Sequence, residues 1–140
     1  MLVSKEDIYK YIPQKPPMIM VDALLECTNK YYISQFCPSA NNLFNTDGFF
    51  NESGLAENMA QTAALGVGYF AVTNKEKIPL GFIGAIKNLS IYEIPIIGDT
   101  ITTKITVLHE VLNATIAKAE VFLEKKQIAE GEFKVFINPL

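Results

Sequence analysis

The twenty-residue stretch Gly54–Thr73, GLAENMAQTAALGVGYFAVT, leaves the chain few ways to fold. Ala, Leu, Met, Glu and Gln fill its first turns and no proline follows until Pro79, so it reads as one long helix whose start Ser53 or Gly54 can supply. At about 1.5 Å per residue, Leu55 to Thr73 reaches roughly 28 Å, enough to cross the core of a small domain. Ala56, Ala60, Ala63, Leu65, Val67 and Phe70 distribute apolar surface all round it, and a helix without a wet face is either buried in protein or spans a membrane. Glu57, Asn58, Gln61 and Thr62 within two turns make a membrane span too costly, which leaves burial within a protein.

Those polar residues are where chemistry is expected. Glu57 and Gln61 stand four apart and share one side of the helix. No Lys or Arg occurs between Tyr31 and Asn74, so a buried Glu57 carboxyl lacks a nearby cation in sequence and is expected to hold a proton more firmly than usual. It can act as an acid, or it can be a structural carboxyl satisfied by hydrogen bonds. Gln61 can orient Glu57 or satisfy backbone groups. At the helix start the backbone N–H groups of Gly54 and Leu55 can bind a substrate oxygen, or form an ordinary capped end. Asn58 joins them as a candidate substrate contact.

A chain of 140 residues reads as a single domain, long enough to bury about two thirds of its unfolded surface. Twelve basic and 15 acidic residues give a net charge of −3, and no basic cluster is interleaved with aromatics, so nucleic acid is not expected as a partner. The amino end, MLVSKEDIYKYI, has no uninterrupted apolar core and does not read as a signal peptide, which predicts a cytoplasmic protein with no membrane contact. Cys27 and Cys37 fall out of register in a hairpin that turns near Asn29 and Lys30, so free thiols are expected. With one His and no Cys-x-x-Cys, neither a metal nor a cofactor is expected.

Around the helix the chain alternates extended runs with turns. Ser4, Glu6 and Asp7 open a short helix, SKEDIYKYI, which Pro13 ends. Met18–Glu26 and Tyr31–Cys37 read as strands, and SANNLFNTDGFFNES as a loop that delivers the chain to the long helix. Four further strands are expected over Leu80–Ile94, Thr100–Leu112, Thr115–Leu123 and Ile128–Ile137. On the last two, Ala117, Ala119 and Val121, then Ala129, Gly131, Phe133, Val135 and Ile137, share one face. Small residues on an inward face suit a sheet with a helix lying against it, which predicts an α+β architecture: one long central helix wrapped by a curved antiparallel sheet.

Three pieces, in order, resemble the hotdog-fold 3-hydroxyacyl-(acyl carrier protein) dehydratases. IPQKPPMIMVD is similar to the family's opening segment. GLAENMAQTAA is similar to its central helix, with Glu57, Met59, Ala60 and Gln61 in the pattern, and EIPIIGDTI resembles its turn into a strand at Pro95, Gly98 and Asp99. The likeness is closest to a divergent branch associated with aryl-polyene-type pigment clusters. It implies a dimer that binds an acyl thioester, on acyl carrier protein or CoA, in a tunnel between subunits. A loop His of one subunit and a helix acid of the other would carry the dehydration. Glu57 stands where that acid stands. The loop, however, offers Asn41, Asn42, Asn45 and Asp47 where the His is expected, and the opening segment has Gln14 in place of its own His.

Three readings follow. The chain is a dehydratase-like protein of fatty-acid or polyene synthesis, working as a homodimer or as the Glu57-supplying half of a heterodimer with a second hotdog protein. Alternatively it is a thioesterase with Glu57 as nucleophile or base, or a non-catalytic binder of acyl thioesters or carrier protein. Asp47 is the nearest substitute base, though Asp47–Gly48 is also a common turn dipeptide. His109, continuing the face of Ile101, Ile105 and Val107, reads as packing, and Lys75, Lys77 and Lys87 as a solvated face that can also meet a phosphate.

Overall fold

A computed structural model describes residues 1–138, and its longest element is the expected helix, α1, at Glu52–Thr73. The helix starts earlier than its composition suggests. Asn51, not Ser53 or Gly54, is the N-cap: its side-chain oxygen accepts the Gly54 N–H at 3.0 Å and its carbonyl accepts the Leu55 N–H at 3.1 Å. From Gly54 to Ala71 no residue is exposed, as the all-round apolar pattern requires.

The helix lies against a six-stranded, wholly antiparallel sheet of order β1-β2-β6-β7-β8-β5. The strands are β1 Ala23–Cys27, β2 Tyr31–Phe36, β5 Leu80–Ile91, β6 Ile101–Val111, β7 Ala114–Leu123 and β8 Lys126–Asn138. The loop before α1 contains a hairpin that sequence reading did not expect, with β3 at Asn45–Thr46 and β4 at Phe49–Phe50. Strand alternation turns Ile101, Thr103 and Ile105, Ala117, Ala119 and Val121, and Ala129 and Phe133 inward, all buried; the side chain of Ile137 lies outside the described residues. These faces close on Leu55, Met59 and Leu65 of α1, each fully buried and each contributing about 1.5–3 kcal/mol of hydrophobic stabilisation.

Two segments differ from expectation. The amino-terminal element is a 3-10 helix, Lys5–Lys10, that Ser4 precedes without a side-chain capping bond. Its Ile8, together with Val3 and Ile12, drops into the core. The expected strand Met18–Glu26 is a strand only from Ala23, because the backbone at Met18–Met20 bonds to α1 side chains rather than to a neighbouring strand.

The two edges of the sheet are treated differently. At β1, Leu2 and Val3 N–H groups reach the Leu24 carbonyl at 2.7 and 3.2 Å, and the Leu24 N–H returns to the Val3 carbonyl at 3.0 Å. At β5 the outer edge has no strand beside it among the described residues, and Ile86 and Leu89 are exposed there.

Close helix packing depends on two glycines inside α1. A Cβ on Gly66 would run into the Tyr32 ring, and one on Gly68 into the backbone carbonyl of Tyr11. A ring can tilt, whereas a carbonyl in a packed segment yields only with its backbone. Gly68→Ala is therefore expected to destabilise by about 1–3 kcal/mol despite its better helix propensity. Urea unfolding checks this; a loss below about 0.5 kcal/mol would mean that the amino-terminal segment shifts freely off the helix.

Candidate active site

The polar side of α1 is a clamp. Gln61, with no exposed surface, makes three hydrogen bonds with one amide. Its Oε1 accepts the Met20 N–H at 2.6 Å, while its Nε2 donates to the Met18 carbonyl at 2.7 Å and to Glu57 Oε2 at 2.8 Å. One turn back, Asn58 Nδ2 donates to the Met20 carbonyl at 2.7 Å, and its Oδ1 accepts the Thr103 hydroxyl at 2.5 Å. Met20 thus has both backbone groups bound by helix side chains, which satisfies them as a strand ladder would. Thr62 Oγ1 donates to the Asn58 carbonyl at 2.8 Å, so Ser34, 2.7 Å from it, must donate to Thr62. The stripe that looked reactive in sequence is mostly a closed polar network among fully buried groups.

Glu57 is the member that faces open space. It is half-buried rather than enclosed, and its carboxylate opens into a cavity of about 660 Å³ between α1 and the sheet. Ala60, Ala63, Ala64 and Val67 carry that wall along α1, and Ile83, Ile105, Ala117 and Val135 form the sheet side. Small side chains on both walls leave room for a narrow apolar ligand. Tyr11 packs at Gly68 and Tyr69 toward the far end of α1, and it lines the space together with Gln14, Glu110 and Thr115. No His, Lys or Arg is among the described lining residues.

The other expected site residues lie elsewhere or are engaged. Gly54 and Leu55 N–H groups are both held by Asn51, so they do not form an anion site in this chain. Asn58 has both ends of its amide committed and no surface to offer a substrate. Asp47 is at the tip of the β3–β4 hairpin. It has φ 51° beside Gly48 at φ 87°, an arrangement that suits a tight hairpin turn, and it does not line the cavity. Asn42 and Asn45 build the same loop by accepting the Phe44 and Gly48 N–H groups, each at 2.8 Å, and Asn41 accepts the Ser39 hydroxyl at 2.6 Å. His109 is exposed: a β-bulge between Val107 and His109 shifts the alternation by one residue, so Glu110, not His109, joins the cavity wall. Lys75, Lys77 and Lys87 are exposed.

The third of the matching segments supports the approach to the helix. Gly98 adopts φ 98°, a conformation suited to glycine, and Asp99 closes the turn by accepting the Ile96 N–H at 3.1 Å. The Pro95 carbonyl then takes the Phe50 N–H at 2.9 Å, tying β4 in place one residue before the cap of α1.

Burial sets the protonation of two neighbours. Tyr32, which lines the cavity, is pushed up to about 12 by burial, with Cys27 and Glu110 adding to the effect, and it stays a neutral phenol. Cys27 is pushed up to about 11 by burial and remains a thiol, and both cysteines are free, as expected. No cluster of three or more metal-ligating side chains occurs among the described residues, and no described helix is long and apolar enough to cross a membrane.

A long helix across a curved antiparallel sheet, with a helix carboxylate facing an apolar cavity, defines a hotdog-fold protein of the divergent dehydratase type. The family model described as ApeP-like, ApeP dehydratase, matches residues 6–139, and the chain belongs to that family. No curated protein sequence matches. Among solved structures, a chain of the dehydratase heterocomplex ApeI:P from Xenorhabdus doucetiae superposes with TM-score 0.85 at 16% identity, covering 94% of this chain and 91% of that one. The uncharacterized protein PH1136 from Pyrococcus horikoshii gives 0.73 at 14% identity, with 94% and 93% covered. A hypothetical thioesterase with coenzyme A from Streptococcus pneumoniae gives 0.67 at 13% identity, with 83% and 84% covered. At such identities the likeness speaks for the shared fold.

Proposed function

We propose that this chain is one half of a dehydratase acting on 3-hydroxyacyl thioesters, supplying Glu57 to a site that a second hotdog chain completes with the base. The observation that carries this reading is the cavity itself. It presents a positioned carboxylate and largely apolar walls, yet no His, Lys or Arg among the described residues that line it. In the reaction, a base on the partner chain takes the proton from C2 and the C2–H electron pair forms the C2=C3 bond. The C3–O pair leaves with oxygen, which takes a proton from the Glu57 carboxyl and departs as water. Gln61 holds Glu57 in position through its Nε2. The heterocomplex to which the Xenorhabdus relative belongs supports a two-chain arrangement, and the coenzyme A bound by the Streptococcus neighbour supports a thioester substrate. We assign that thioester to acyl carrier protein in a cytoplasmic fatty-acid or polyene pathway.

Thioester hydrolysis is less well supported, because the helix-start N–H groups that would stabilise its oxyanion are bonded to Asn51. The test is to incubate a 3-hydroxyacyl carrier protein with this chain alone, with a companion hotdog chain, and with both. Enoyl thioester at full rate only with both is the expected result. Release of free thiol would establish hydrolysis instead, and tight binding without turnover in every setting would establish a non-catalytic adaptor.

A further inference from the structure

Ser34, Asn58, Gln61, Thr62 and Thr103, the described polar side chains fully buried between α1 and the sheet, all have hydrogen-bond partners. Tyr32 does not. It is 8% exposed and lines the cavity, and its hydroxyl, which bonds to no described residue, is not sealed from solvent. The group is therefore open to the cavity. Its ring is held by α1, lying directly against Gly66 and meeting Phe70 edge-on with centroids 6.3 Å apart. Gly66 stands about 14 Å up the helix from Glu57 at 1.5 Å per residue, so the phenol belongs to the opposite end of the cavity. Glu110 belongs to that end too. On β6, Thr103 bonds to Asn58, the neighbour of Glu57, and Glu110 lies roughly 20 Å further along the strand. Glu110 also lines the cavity and is hydrogen-bonded to no described residue; its charge reaches the Tyr32 phenol, yet the two make no bond to each other. A fixed donor and an acceptor thus share one end of an otherwise largely apolar space, both unsatisfied by the chain.

Resting on the dehydratase reading of the Glu57 end, we propose that Tyr32 and Glu110 form a second recognition point that holds a hydroxyl group at the far end of the acyl chain. The Tyr32 O–H donates to that oxygen, and the Glu110 carboxylate accepts its hydrogen. A hydroxyl satisfies both because one oxygen accepts and donates at once. A chain ending in methyl leaves the phenol desolvated and unpaired, and a site built to bond a hydroxyl discriminates against the analogue that lacks it. A chain ending in carboxylate brings a second negative charge to Glu110, with no Lys, Arg or His among the described lining residues to offset it.

The test uses the full chain with its companion hotdog chain. Hydrolysis-resistant amide analogues of 3-hydroxyacyl-pantetheine, in a series of chain lengths and ending in methyl, hydroxyl or carboxylate, are titrated against wild type, Tyr32→Phe and Glu110→Gln. Wild type is expected to favour the hydroxyl end over methyl about tenfold at the length that spans the cavity. Tyr32→Phe should bring that preference within about twofold and leave the methyl-ended analogue unweakened. It removes a hydroxyl with no partner in the protein to lose, so Tm should not move. Glu110→Gln, at an exposed position, should improve the carboxylate-ended analogue about three- to fivefold. Equal binding of methyl and hydroxyl ends by wild type at every length, or equal weakening of all three analogues by Tyr32→Phe, would overturn the assignment and leave the dehydratase reading intact. Unchanged discrimination against the carboxylate in Glu110→Gln would remove Glu110 from the recognition point. If wild type binds none of the analogues, the acyl-thioester reading itself falls, and this assignment falls with it.

Discussion

Glu57→Gln is expected to slow 3-hydroxyacyl dehydration by the two-chain enzyme about 10²–10⁴-fold, the usual cost of losing a general acid. The substitution is nearly isosteric, and its amide oxygen can still accept the bond that Gln61 Nε2 gives Glu57 at 2.8 Å. Stability should therefore change little, and the loss should fall on kcat rather than on KM, because the missing proton matters only as the C3–O bond breaks. Single-turnover kinetics on 3-hydroxyacyl carrier protein, run beside thermal unfolding, separates the two effects. Full activity from the variant with its companion chain present would remove Glu57 from the chemistry.

Asn58→Leu should produce the largest loss of stability among substitutions on α1. It leaves the Met20 carbonyl and the Thr103 hydroxyl, both in a fully buried network, without the partners they now hold at 2.7 and 2.5 Å. Two unsatisfied groups at about 1–3 kcal/mol each predict about 2–6 kcal/mol, a large share of the 5–15 kcal/mol typical of a whole domain. Thr103→Val, which removes one hydroxyl and leaves Asn58 Oδ1 unpaired, should cost about half as much. Urea midpoints measure both. Because Asn58 has no exposed surface, ligand affinity per folded molecule should not move, and a selective loss of affinity at unchanged stability would restore Asn58 to the substrate-binding role its position first suggested.

The contrast between Glu57 and Asn58 shows what the sequence could and could not reveal. The helix itself was legible, since an apolar, proline-free run has one economical fate, and the inward faces of the late strands followed from alternation. The fate of each polar residue on that helix was not. Asn58 meets partners 38 and 45 residues away, and Gln61 meets Met20 41 residues away. No local pattern distinguishes an amide that clamps backbone from one that awaits a substrate. Met18–Met20 reads as strand because it is extended and apolar, but the Met18 carbonyl and both backbone groups of Met20 bond to α1 side chains, a possibility that periodicity does not encode. His109 illustrates a different limit: one inserted residue at a bulge exchanges the two faces of a strand, and Glu110 takes the inward place. Asn51 was within reach, standing directly before Glu52 as a preferred capping residue, and the run of small residues after it drew the start too late.

The unequal edges of the sheet decide how far the molecule can grow. Backbone bonds from Leu2, Val3 and Leu24 occupy the centre of the short β1 strand, whereas β5 has no strand beside it among the described residues. A sheet of this kind behaves as a one-ended template. Pairing through β5 consumes the free end of both participants and presents no new one, so continuous sheet assembly terminates at two molecules and cannot propagate into a fibril. The stop lies not at the joining edge but at the opposite end of the sheet, in the first three residues of the chain.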